Sequence, residues 1–246
     1  MAGYSPSGIG RALARLGLRL RHGRPRQFSP DPAYLDKETA LHAWLAAAAL
    51  DPEQIVVLFV DELTYLHWPL LGRDWGPATG PPPQAARAAP GERRHRVVGA
   101  LDALTGRVLT HHERSIGKEV FARFLAQLAA AYPQAVRIAV VLDNWPVHHS
   151  PVVRAAAAAL GRIRLVFLPT YAPWLNPIEK LWAWLKTDVL HLHRLAGHWA
   201  EVRAAVVAFL ARFADPAPEL LWRVGLQGSG ALATTLHPLT DLGRQT

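Results

Sequence analysis

The sequence contains no cysteine. Disulfides, thiolate zinc sites and cysteine nucleophiles are therefore excluded. Lysine is scarce: four of the 27 basic residues are Lys and the rest are Arg. Long apolar runs are missing too. Ala43–Leu50 and Ala155–Leu160 fall far short of the ~20 residues that cross a bilayer. The start, Met1-Ala2-Gly3-Tyr4-Ser5-Pro6, lacks the basic stretch and apolar run of a signal peptide. A cytoplasmic protein with no membrane partner is expected. There are no internal repeats and no low-complexity tail.

What is present suits a folded domain. The 246 residues are half apolar and 19% charged, a globular balance able to bury a sizeable core. The net charge is +8 and the pI about 10.4. A basic surface attracts polyanions, and the planar guanidinium fork matches phosphate. A genome favouring Arg and Ala codons would also enrich Arg, but it would not account for the net charge.

Along the chain, Ser7–Leu18 reads as a short helix with Ile9, Leu13 and Leu16 on one face. A basic arm carrying Arg19, Arg21, Arg24 and Arg26 follows. Such a pair suits the end of a DNA-binding helical module, and equally a solvated basic terminus. Asp31–Leu50 reads as a helix and Ile55–Glu62 as a buried strand closed by two acids. Residues 63 to 91 are rich in Pro and Gly and read as a long loop, of the kind that is usually functional. Arg96–Leu104 and Arg107–His112 form a hairpin around Thr105-Gly106. Helices are expected at Ile116–Tyr132, Pro151–Ala159, Asn176–Leu190 and Trp199–Phe213, and strands at Val136–Leu142 and Arg164–Leu168. The pattern weakens after Asp215-Pro216. The order of elements gives an α/β fold with an antiparallel hairpin joined to parallel crossovers.

Three acids carry the chemistry. Asp61 and Asp143 each close an apolar strand, where ligands of α/β sheets bind. Glu179 opens a helix after a proline-constrained loop, Leu168–Pro177. Each acid alone is an ordinary turn, cap or helix-dipole residue. Together they suit hard divalent cations such as Mg or Mn, and a pair of such ions clamps both oxygens of a phosphoryl displacement. Glu62 is expected on the opposite face of its strand from Asp61 and outside the cluster. Asn176 is expected to cap the last helix. Trp174 is expected as the exposed loop aromatic, while Trp182 and Trp184 are expected to pack the core. The paired histidines are poorly spaced for a shared zinc.

Three segments, Val57–Glu62, Val141–Ser150 and Leu168–Trp182, resemble the catalytic blocks of bacterial insertion-sequence transposases of the Tc/mariner superfamily. Gly99–Gly106 resembles the same family. The resemblance implies an RNase H-like fold, a mixed central sheet flanked by helices with a short helical N-terminal remnant. It implies a catalytic and metal-binding triad of Asp61, Asp143 and Glu179 with two Mg or Mn ions. It also implies double-stranded DNA, both element ends and target, as substrate, and a homodimer as the working unit. Asn144, His148, Trp174, Asn176 and Lys180 become candidates for supporting the triad or touching DNA. Arg19, Arg21, Arg24 and Arg26 become the DNA-binding arm. Expected boundaries are 1–30 for the helix-turn-helix remnant and linker, 31–215 for the catalytic domain and 216–246 for a tail. Family members usually have small residues after the second Asp-Asn, where this chain has Trp145-Pro146. Two alternatives stay open: a truncated or domesticated inactive DNA-binding relic, and a general RNase H-like nuclease.

Overall fold

The computed structural model describes residues 6–18, 28–75, 79–85 and 93–226. The arginines of the basic arm, 19 to 26, lie outside the described residues. The strands are β1 (Ile55–Leu66), β2 (Arg94–Asp102), β3 (Val108–Glu113), β4 (Arg137–Leu142) and β5 (Ile163–Phe167). They form one sheet in the order β3-β2-β1-β4-β5. The pairs β1–β2 and β2–β3 are antiparallel; β1–β4 and β4–β5 are parallel.

Helices cover both faces, so the central strands are apolar on both sides rather than alternating. On one face, α3 (Lys118–Ala131) and α4 (Pro151–Ala159) bury Phe121, Phe124, Leu125 and Val153 against Val56, Leu58 and Val60. On the other, α2 (Tyr34–Leu50), α5 (Ile178–Leu185), α6 (Trp199–Ala211) and α7 (Pro218–Val224) pack against Val57, Phe59, Leu63 and Tyr65. Ser150 caps α4 by accepting from the Val153 N–H at 3.3 Å, and Pro151 follows as its first residue. The first helix, α1 (Pro6–Arg15), exposes Ile9 and Leu13, and Leu16 just after it is exposed too. Among the described residues no helix is long and apolar enough to cross a membrane.

Four features differ from expectation. β1 does not stop at Glu62 but runs to Leu66. It pairs with β4 only as far as Phe59, while its pairing with β2 continues to the end of the strand. Asp61 therefore sits where β1 and β4 part, not at the end of its own strand. The last catalytic-block helix changes to a π-helical turn at Lys186–Leu190, where Thr187 Oγ1 donates to the Ala183 carbonyl at 2.9 Å. Residues after Asp215 are not simply a tail: α7 buries Leu220 and Val224 in the core. Gly106, at φ +73°, allows this, because a side chain there would collide with the Ala217 carbonyl. Ala217 N–H in turn donates to the Thr105 carbonyl at 2.9 Å.

Candidate active site

A cleft of about 430 Å³ opens where β1 and β4 separate. Asp61, Asp143, Asn144, Trp145, Asn176 and Glu179 line it, together with the Leu168–Pro173 loop. All three acids singled out from the sequence thus face one space, each from a different element.

Asp61 is half-buried and accepts a hydrogen bond from the Trp182 indole N–H at 3.0 Å on Oδ2. Burial, then the charges of Glu179, Glu62 and Asp143, push its carboxyl up to about 8. Asp143 follows β4. Burial alone would raise it, but His148 and the Trp145 N–H, each at 3.0 Å from Oδ1, hold it below the ordinary carboxylate value. Glu179 sits in the first turn of α5. Burial raises its carboxyl, the Lys186 charge opposes that, and Asp143 adds to it.

The supporting residues are less as expected. His148 is fully buried. It stands between Asp143 (Nδ1 to Oδ1, 3.0 Å) and Glu62 (Nε2 to Oε1, 3.2 Å). Burial works against its protonation, but the two carboxylates outweigh this and raise it to about 9. Glu62 does face away from Asp61, as strand alternation requires, yet His148 reaches round the end of β4 and ties it to the site. Phe121 packs on the His148 ring at 4.5 Å. Asn144 Nδ2 donates to the Leu168 carbonyl at 2.8 Å, stapling the end of β4 to the start of the loop.

Asn176 does not cap α5 through its side chain. Pro177, with φ −60° and ψ −25°, already starts the helix. The Asn176 amide instead donates to the Val60 carbonyl at 3.2 Å, anchoring the loop next to Asp61. Trp174 is not the exposed loop aromatic. Its ring packs on the core and its N–H donates to Tyr34 Oη at 3.2 Å. Tyr171 is the exposed one, at 77%, with φ +55°. Lys180 turns away from the cleft and donates to the Val224 carbonyl at 2.8 Å. The cation that acts on Glu179 is Lys186. The loop is fixed from outside by Asp31, whose Oδ2 accepts from the Thr170 N–H at 2.8 Å, and by Ser29 Oγ, which donates to the Thr170 carbonyl at 2.5 Å.

The donor set fits hard divalent cations. Three carboxylates share the cleft, their repulsion helps keep Asp61 at about 8, and among the described residues no arginine lines the space. Among the described residues no three acidic or imidazole side chains converge on one point.

The mixed five-stranded sheet flanked by helices is the RNase H-like fold. Residues 56–199 match the DDE superfamily endonucleases, and the chain belongs to that family. A 39 kDa protein of insertion element IS630 from Shigella sonnei is 27% identical over 192 residues, 78% of this chain and 54% of that protein. The chain thus spans about half the length of this curated relative. Among solved structures, the Mos1 mariner paired end complex with Mn is similar at a TM-score of 0.65 and 16% identity, covering 94% of this chain and 68% of that one. The catalytic domain of Mos1 mariner transposase gives 0.52 and 15%, covering 87% and 96%.

Proposed function

We propose that this chain is a DNA transposase of the Tc/mariner superfamily, cutting phosphodiesters at element ends and joining the freed ends to target DNA. The observation that carries this reading is one cleft lined by Asp61, Asp143 and Glu179 in a domain of the DDE endonuclease family. The insertion-element relative and the Mos1 complexes, solved with transposon ends and with Mn or Mg, support it.

Asp61, Asp143 and Glu179 are the residues that would hold divalent Mg or Mn ions. Such ions supply positive charge for the phosphoryl oxygens and acidify a bound water. The chain's own residues set the stage. Trp182 occupies one oxygen of Asp61, and His148 with the Trp145 N–H occupies one of Asp143, so the remaining oxygens are the ones presented. Lys186 offsets the charge of Glu179. In the first step a water oxygen bonds to phosphorus, the bond to the 3′ oxygen breaks, and the water's proton ends on that oxygen. In the second, the freed 3′ oxygen bonds to a target phosphorus and displaces the target's own 3′ oxygen, which takes the proton. Double-stranded DNA is the partner, and a homodimer holding two ends is the working unit.

The test is a plasmid-nicking assay with Mg. Asp143→Asn and Glu179→Gln proteins are expected to lose nicking to background while folding normally. Undiminished cleavage by either one sinks the assignment.

A further inference from the structure

A second cavity, of about 670 Å³, is lined by Arg93, Arg94, His95, Arg114, Ser115, Trp199 and Arg203. The arginines come from three places: the start of β2, the turn after β3, and α6. All four are exposed. Among the described residues, none of them makes an ion pair with a carboxylate and no acid lines the cavity. Gathering four unneutralised like charges raises the local positive potential, and that potential attracts anions. Its floor is firm. Trp199, His95 and Tyr65 form a packed aromatic group, with Tyr65 at 5.7 Å from Trp199 and 6.1 Å from His95. Arg203 lies over the Trp199 ring at 5.8 Å.

The position matters as much as the charge. His95 pairs with Tyr65 on β1, four residues beyond Asp61. Residues 61 and 65 lie on the same face of the strand, so Tyr65, in the aromatic floor, is about 13 Å along β1 from Asp61. That distance is about four nucleotide steps of a DNA strand.

We propose that this arginine cavity is a second DNA-binding station, taking backbone phosphates of the duplex whose scissile phosphodiester lies in the Asp61 cleft. The station acts through charge on the phosphates, fixing how the duplex lies rather than which sequence it has. The proposal rests on the reading of the cleft as a DNA-cutting site, and its test is designed to stand apart from that reading.

The experiment measures binding, not cleavage. Fluorescence anisotropy follows a labelled duplex of about 30 base pairs binding to the full chain, without metal, across a salt series. The expected result for Arg114→Gln/Arg203→Gln is at least tenfold weaker binding and a salt slope smaller by about two, since each lost phosphate contact removes about 0.9 from it. Arg114→Lys/Arg203→Lys should restore much of both. Unchanged affinity and slope in a variant that melts like the parent overturns the proposal. A variant that loses stabilisation by inorganic phosphate but binds duplex normally also overturns it, because the cavity is then a free-anion site. Loss of duplex binding in this variant, beside undiminished nicking by Asp143→Asn, would uphold the station while removing the cleft assignment.

Discussion

Trp182 holds Asp61. The indole N–H lies 3.0 Å from Oδ2, on a carboxylate that burial and three neighbouring acids push towards neutrality. Such a hydrogen bond contributes about 0.5–1.5 kcal/mol to a neutral partner and about 1.5–3 kcal/mol to a charged one. Trp182→Phe keeps most of the packing and removes the donor. It is expected to raise the Mg concentration needed for half-maximal nicking by about tenfold, since ~1.4 kcal/mol is one power of ten. A Mg titration with an unchanged midpoint would show that the contact does not serve the carboxylate.

The same ring sets a limit on β2. Gly99 lies opposite Asp61 in the β1–β2 pair, and a methyl group there would come within 2.7 Å of the Trp182 ring. Gly99→Ala is therefore expected to shift Trp182, lower stability by about 1–3 kcal/mol as overpacking does, and impair nicking. Combined with Trp182→Leu, which frees the space, the Gly99→Ala stability loss should largely disappear. Thermal melting of the two single variants and the double variant checks this.

His148 links the two faces of the sheet by pairing with Glu62 on one and Asp143 at the rim. Its removal leaves Glu62, whose side chain is 10% exposed, without its buried partner. Breaking such a pair costs about 3–5 kcal/mol. His148→Leu is expected to lower Tm by about 10 °C, and Glu62→Leu/His148→Leu to recover most of the loss. A double variant no more stable than the single one would mean the loss comes from packing with Phe121 instead.

The succession of elements was legible in the sequence because three apolar runs and a Thr105-Gly106 turn mark the strands and the hairpin. The cleft was legible because Asp61 and Asp143 close two of those runs and prolines fix the approach to Glu179. What escaped was contact through space. Alternation correctly turned Glu62 away from Asp61, but nothing in the spacing says that His148 reaches it from beyond β4. Trp182 reads as core and is core; its polar edge meeting Asp61 is a matter of depth, which periodicity does not encode. Trp174 turns inward unannounced for the same reason: the loop bends at Tyr171, with φ +55°, and the Trp174 N–H meets Tyr34 Oη. Helix α7 is short, so its pattern was too brief to separate from a tail.

Asp31 provides a pH test. Its hydrogen bonds with Lys37, Thr170 N–H and Ala33 N–H hold its carboxyl well below the usual value. A depressed folded value stabilises the fold above the ordinary carboxylate range, near 3.9, and that stability is lost as pH falls through the folded value. The Tm difference between parent and Asp31→Asn is expected to be constant from neutral pH down to about 5 and to shrink below about 4. A difference that persists unchanged in acid would assign the effect to geometry, not charge.

The parting of β1 from β4 after Phe59 has a consequence for how such a chain can change over generations. One residue gained or lost within β4 would reverse the side on which Asp143 emerges, so that length is fixed. Between Leu66 and Arg94 no such parity applies, because β1 has already left β4 and is held by β2 alone. Insertions there can lengthen the reach of that segment without changing the face on which the acids emerge. Reach and chemistry are thus free to diversify separately.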